Sequence, residues 1–387
     1  MYDWPSIDWL SLRADRLART RSLMAAKALD HVLFTAFDNI RYVTDYRVMT
    51  ISENHDWFAT LVDRDGRSLI FVPFVDEEVF EPLPNLPNVS AWVPAPSWSA
   101  STMHVAEWAR VLAEQIERAG ARRVGVDTCA WQVFEALRER LPNVEFFDVA
   151  LEMFEVRVEK HPAEVELLEA VSRVNAIAAS EAIEALAPGM RDFEVLAVAM
   201  ESLQRQGVEY LTHSVCNVRQ PTGNWFANGA ELRHGDAFFF DIGAYGQGGY
   251  ASDICRTAFV GDPHPEVVKG YEVLLEAYGA AQDLCRPGVS SSRIHEAANA
   301  VLRGHGYPRT PYAVGHGIGL RACEWPTMYR PDLMSADVPL VSGATIALEP
   351  ETFVEIGGES VVLKIEDNFL VTDDGLRLLS EVPHGPS

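Results

Sequence analysis

The 387-residue sequence contains no run of about 18 apolar residues, so no membrane-spanning helix is expected. It is short of positive charge. Its 32 Lys and Arg stand against 56 Asp and Glu, a formal net charge of -24, which disfavours nucleic acid and anionic membrane surfaces as partners. Cysteine is scarce and odd in number (Cys129, Cys216, Cys255, Cys285, Cys323), so no disulfide framework is expected and a reducing cytoplasm is the simplest location. Residues 1–10 show no basic stretch leading into an apolar run, so no signal peptide is expected. Repeats of solenoid period and low-complexity segments are also missing. What is there is ordinary for a globular protein of two domains: 48% hydrophobic and 23% charged residues.

The order of elements predicts an α/β (α+β) protein. Helix-spaced apolar residues run over 8–29, and strands are expected at His31–Thr35, 58–62 and 68–73, the last two forming a hairpin. A Pro-rich connection (82–96) precedes helices at about 102–119 and 128–141, with a strand at 124–127 between them. The character changes near residue 158, which predicts domains of 1–157 and 158–387. Pro162-Ala163-Glu164 opens a long helix to about Ala187, and further helices are expected at 192–206, at 265–284 and through His305, with mostly strands afterwards.

The chemistry concentrates where short apolar runs end in an acid. Phe238-Phe239-Phe240 leads to Asp241, and Asp253 returns after a Gly-rich turn on an expected neighbouring strand. Two buried like charges cost several kcal/mol each unless a cation sits between them. For that pair alone, a strand-end Asp held by backbone amides and an ordinary turn Asp serve equally well. Three further residues shift the balance: His316 between glycines, Glu349 after 344–348, and Glu366 after 361–365. Four carboxylates and one imidazole suit two divalent ions such as Mn, Fe or Co, with Zn also compatible, and such ions activate water and polarise a carbonyl.

The order Asp241, Asp253, His316, Glu349, Glu366 resembles the M24 superfamily of prolidases, aminopeptidases P and creatinase relatives with the pita-bread fold. Asn39-Ile40-Arg41-Tyr42-Val43-Thr44-Asp45 and the junction Arg157 to Pro162 resemble its creatinase-like N-terminal half. The resemblance implies a mixed-sheet domain followed by a pita-bread catalytic domain, and a homodimer acting on a small molecule. It also implies Asp241 and Asp253 on one ion, His316 and Glu349 on the other, Asp253 and Glu366 bridging, and Glu349 as general base.

Two departures from the peptidase pattern bear on activity. Cys323, seven residues after His316, stands in Cys323-Glu324-Trp325-Pro326 where a prolidase carries His-Glu-x-Pro. The stretch 222–227 lacks the other substrate histidine. A thiol is a weak donor without the charge that stabilises an oxyanion, which argues against a general peptidase. The expected reaction is hydrolysis of a C–N bond in a small polar substrate.

Local features also resemble the metal-dependent dimethylsulfoniopropionate (DMSP) lyases, in Asn224-Trp225-Phe226, in Glu324-Trp325-Pro326 and in Lys364-Ile365-Glu366-Asp367. Gly243 and Cys323, however, stand where that branch has aspartates. A C–S lyase and an inactive metal-binding homologue therefore stay open as alternatives. Cys323 and Glu324 join Glu349 as catalytic candidates, with an inert Cys323 as the plainer reading. Trp225, Phe226, Trp325, Tyr329 and His55 are candidates for substrate contact, individually also explained as core or surface residues. Tyr250 and Arg256 are expected to support Asp253.

Overall fold

The structure, a computed structural model, describes residues 1–47, 58–72, 86, 88–96, 102–333 and 337–384. They group into two compact units, 8–157 and 1–7 with 158–387. In the first unit the order is α1 (Trp9–Ala26), β1 (His31–Phe34), α2 (Phe37–Thr44), β2 (Ala59–Asp63), β3 (Ser68–Val72), β4 (Val89–Pro94), α3 (Val105–Arg118), β5 (Arg123–Val126), α4 (Trp131–Arg140), β6 (Glu145–Asp148) and α5 (Ala150–Val158).

The strands form one mixed sheet in the order β4-β3-β2-β1-β5-β6, antiparallel only at β1–β2 and β2–β3. β4 lies within the stretch read as a Pro-rich connection. Val89 and residues 91–94 pair in parallel with Ser68–Val72 of β3, and tertiary pairing outweighs the flanking prolines. The motif at 39–45 is structural. It forms most of α2, whose left-handed Asp45 accepts from Arg16 at 2.7 Å, while Asn39 Nδ2 donates to Asp127 at 2.9 Å.

The second unit runs α6 (Pro162–Ala185), α7 (Asp192–Gln206), β7 (Tyr210–Asn217), β8 (Ala237–Tyr245), β9 (Ala251–Phe259), α8 (Pro265–Leu284), α9 (Ser291–Gly304), β10 (Gly315–Gly317), β11 (Glu324–Thr327), β12 (Thr345–Leu348), β13 (Glu351–Ile356), β14 (Glu359–Lys364), β15 (Asp367–Thr372) and β16 (Gly375–Leu378). α6 starts where Pro162 suggests. His161 caps Ala163 N and Glu164 returns to His161 N at 2.8 Å, so two otherwise unpaired amides are satisfied.

Two sheets and a hairpin carry the site. β7-β8-β9 is antiparallel, β11-β10-β12-β15-β16 forms the larger sheet, and β13 pairs with β14. Along β8 the side chains alternate. Phe238, Phe240 and Ile242 pack with Val174, Ala178 and Leu203 of α6 and α7. Phe239 turns the other way, against Cys255 of β9 and Val362 of the hairpin. Asp241 and Gly243 share that second face. In the larger sheet Ile346, Leu348 and Phe369 pack on Leu274 and Ile294 of α8 and α9.

Candidate metal centre

Register decides where the acids meet. Asp253 pairs with Gly243 across β8–β9, so Asp241, two residues earlier on β8, projects from the same face. Asn368 fixes the Asp253 backbone from both sides, accepting from its N at 3.1 Å and donating to its O at 2.6 Å. Glu366, between β14 and β15, is tied to β9 by Glu366 N donating to Cys255 O at 2.9 Å. His316 on β10 pairs with Ala347 on β12, and Glu349 follows β12 directly. His316 Nε2 lies 3.5 Å from Glu349 and 3.6 Å from Glu366. Lys364, ending β14, places Nζ 2.5 Å from Asp241, 3.0 Å from Glu349 and 3.5 Å from Glu366. All five residues named from the sequence are thus brought together, each at most 9% exposed.

The electrostatics follow from crowding. Burial alone would raise the Asp241 carboxyl, but Lys364 and His213 beside it hold it far below the usual carboxylate range. Burial and then the negative charge of Asp253 push the Glu366 carboxyl up to about 8. Burial opposes charge on Lys364, yet Asp241, Tyr312 and Glu349 keep its ammonium protonated well beyond the ordinary lysine range. His316 is likewise disfavoured as a cation by burial but raised well above the usual imidazole value by Cys323, Glu366 and Glu349.

These groups fit a divalent metal. Asp253 Oδ1 and both carboxylate oxygens of Glu366 are buried with no hydrogen-bond partner among the described residues, a costly state unless a cation completes it. Three donor sets have ligating atoms within 4.8 Å of one another: His316, Glu349 and Glu366; His213, Asp241 and Asp253; and Asp253, His316 and Cys323. Ligands 2.0–2.2 Å from one ion lie roughly 3.0–3.5 Å apart at octahedral or tetrahedral angles, which the measured separations approximate.

A pH dependence follows. An unfolded glutamate titrates near 4.5, whereas Glu366 in the fold holds its proton to about 8. Between those values the folded chain binds more protons than the unfolded chain, so stability in EDTA falls as pH rises from about 4.5 to about 8. Over the same window affinity for a divalent ion rises, because the proton leaves as the ion enters. Calorimetry in EDTA and Mn²⁺ titrations across this range read both slopes; a melting temperature and an affinity that stay flat would contradict the assignment.

The other sequence candidates are more dispersed. Cys323 is exposed, its sulfur 3.7 Å from His316 Nε2. Glu324 is buried in an ion pair with Lys160 at 2.9 Å and belongs to none of the three donor sets. Trp225 meets Tyr312 edge-on with centroids 5.7 Å apart, and Phe226 is 74% exposed. Tyr329 packs on His295, while the carbonyl of Trp325 lies where a Cβ on Gly317 would be. His55 lies outside the described residues.

Tyr250 and Arg256 were expected to support Asp253, but the hydrogen bonds described for them go to other groups. Tyr250 donates to Glu164, and Arg256 donates to Asp367 and to the Glu366 carbonyl at 2.7 Å. Adjacent strand residues face opposite ways, which carries both off the Asp253 face or onto other partners. Sequence reasoning missed His213, Lys364 as a site residue, and Asn368. His213 sits on β7 in no motif, and only its register opposite Gly243 brings it to the acids.

Comparison with known proteins agrees with this architecture. The family model described as Metallopeptidase family M24 matches residues 166–373, and that of the Creatinase/Prolidase N-terminal domain matches 16–158. The chain belongs to metallopeptidase family M24. It is 28% identical over 259 residues to the Xaa-Pro dipeptidase of Pyrococcus furiosus, spanning 66% of this chain and 72% of that protein. It is 30% identical over 256 residues to the putative dipeptidase YkvY of Bacillus subtilis, spanning 64% and 68%. The Xaa-Pro dipeptidase of Bacillus anthracis superposes with a TM-score of 0.79 at 22% identity over 97% of this chain and 99% of that one, a likeness of fold.

The expected fold, a creatinase-like mixed-sheet domain followed by a pita-bread domain, is therefore the observed one, and the chain is a hydrolytic enzyme of metallopeptidase family M24. These comparisons lend no support to the DMSP-lyase alternative. Among the described residues no helix is long and apolar enough to cross a membrane.

Proposed function

We propose that this chain is a divalent-metal-dependent hydrolase cleaving the C–N bond of a small polar substrate of the Xaa-Pro dipeptide class. The observation that carries the reading is the convergence of four buried carboxylates and His316, with three of the carboxylate oxygens, on Asp253 and Glu366, accepting no hydrogen bond. Divalent ions held there, two of them and of the Mn, Fe or Co type, supply Lewis acidity and a lowered water pKa. Asp241, Asp253, His316, Glu349 and Glu366 are the residues that would hold them.

The chain's own groups divide the remaining work. Glu349 is the general base, and at 9% it is the most exposed of the four carboxylates, which suits a group that takes a proton from a reactant. Lys364 fixes its orientation at 3.0 Å. Cys323 stands exposed beside His316, where an imidazole would stabilise an oxyanion and a thiol does so poorly. Cleavage of ordinary dipeptides is expected to be slow for that reason. Trp225, which meets Tyr312 edge-on, is our candidate for flanking a small substrate, whereas Glu324 is engaged by Lys160 and has a structural role. Five unpaired cysteines support a reducing, cytoplasmic setting.

A panel of Xaa-Pro dipeptides, N-acyl amino acids, betaines and DMSP, assayed with Mn²⁺- or Fe²⁺-loaded protein, tests the proposal. Amine or free proline release is expected, and Cys323→His is expected to raise dipeptide cleavage about tenfold or more, part of what one missing oxyanion donor costs. Dimethyl sulfide as the only product, or no C–N cleavage by fully loaded protein, would reject it.

A further inference from the structure

His213 was not expected at the metal centre. On β7 it pairs with Gly243 of β8, which pairs in turn with Asp253 of β9. The three residues therefore form one row across the sheet, with side chains on the same face. Neighbouring strands lie about 4.8 Å apart, so His213 and Asp253 begin nearly 10 Å from each other and meet only by leaning over the strand between them. Gly243 is what leaves the space. A Cβ there would lie 2.0 Å from Thr212 Oγ1 and 2.7 Å from His213 Cε1, so any other residue would displace the ring.

The ring that fills this space points its Nε2 at two carboxylates at once, 2.8 Å from Asp241 Oδ1 and 3.1 Å from Asp253 Oδ1. One N–H can be directed at only one of these oxygens, and Asp253 Oδ1 remains without a hydrogen bond despite its burial. A nitrogen about 3 Å from each of two carboxylate oxygens, with ligating atoms of all three residues within 4.8 Å of one another, is compatible with a single ion whose cis ligands stand at 2.0–2.2 Å. On the far side of the ring, Nδ1 lies 2.9 Å from Thr212 Oγ1. A proton on Nδ1, donated to that hydroxyl, leaves the Nε2 lone pair free, which is the arrangement by which an outer partner orients a ligating histidine.

We infer, resting on the divalent-metal reading above, that His213 is a direct ligand of the ion held by Asp241 and Asp253, with Gly243 kept small to admit it. The first position then carries a nitrogen donor, as the second does through His316, and the two ions differ less in ligand type than four carboxylates and one imidazole would make them. Thr212 is the residue that sets the tautomer.

The test uses Mn²⁺ with the full-length protein and the variants His213→Ala, His213→Gln and Gly243→Ala. Affinities come from competition with a chelating dye, and bound nitrogen from electron spin-echo modulation of the Mn²⁺ signal. Glutamine replaces the ring by an amide that donates a hydrogen bond to either aspartate but ligates Mn²⁺ poorly. The expected result is a loss of about 10–100-fold in affinity at one of the sites in both His213 variants, with a weaker nitrogen signal. Gly243→Ala reproduces the loss with His213 still present. His213 is partly exposed, and melting curves in EDTA confirm that each variant folds. Wild-type affinity and nitrogen signal in His213→Gln would overturn the inference while leaving the metal reading intact. Wild-type protein that binds no Mn²⁺ would overturn both.

Discussion

Asp253→Ala is expected to abolish activity, by about 10³-fold or more, and to abolish the metal-induced rise in melting temperature with it. The reason lies in the position of Asp253. It belongs to two of the three donor sets, one with His213 and Asp241 and one with His316 and Cys323. No other described residue lies in both of those sets. Its backbone is held by Asn368 whatever the side chain, so the strand pairing survives the substitution.

Stability in the absence of metal separates a ligand from a merely structural carboxylate. Asp253 Oδ1 makes no hydrogen bond, and the charge of Asp253 raises the neighbouring Glu366 carboxyl. Removing one of four crowded buried acids relieves repulsion, so the variant in EDTA is expected to melt at or above the wild-type temperature. Metal content by mass spectrometry and melting curves with and without Mn²⁺ read the two effects independently. A variant that keeps its metal and its activity, or one that unfolds without metal, would refute the role.

The second large effect is on the fold itself. Arg256 is 1% exposed, and its guanidinium donates to Asp367 Oδ1, to the carbonyls of Glu366 at 2.7 Å and Cys255 at 2.8 Å, and to Val382 O at 3.0 Å. This one side chain gathers β9, the start of β15 and the C-terminal segment. Arg256→Met removes the charge and leaves Asp367 buried, with Tyr278 and His384 each at 2.7 Å and Ser380 at 2.9 Å as its remaining donors. Breaking a buried pair on one side costs about 3–5 kcal/mol, and the surviving donors place this case near the lower end.

Lysine does not restore the loss, because an ammonium cannot span four acceptors that a planar fork reaches. The double variant Arg256→Met with Asp367→Asn is expected to recover part of it, since no charge is then left unpaired. Arg256 also positions Glu366 through its carbonyl, so metal affinity is expected to fall about 10–100-fold in Arg256→Met. Denaturant titration and Mn²⁺ competition measure the two quantities. A change in stability below about 1 kcal/mol would show that the network carries little energy.

Helix limits were legible because they depend on local chemistry. Pro162 with Glu164, Asp192, and Pro265 each open a helix at the residue where the sequence places the start. The four acids and one histidine of the candidate site were legible for a related reason: each ends a short apolar run, follows a Gly-rich turn or stands between glycines. The strand at Val89–Pro94 was not legible, because a Pro-rich stretch becomes a strand only when β3 offers it an edge. Tyr250 and Arg256 were assigned to Asp253 from adjacency in the chain, and they serve Glu164, Asp367 and Glu366 instead.

The sequence by itself determined where the long helices start, the acidic character and the choice of four carboxylates and one histidine as candidates, because each of these is written in neighbouring residues. Tertiary structure alone decided that His213 reaches Asp241 and Asp253 and that Lys364 lies among three carboxylates. It also decided that Glu324 turns to Lys160. Those outcomes depend on strand register and on which face a side chain leaves. Shifting a strand by one residue would reverse every one of them without changing a letter of the chain.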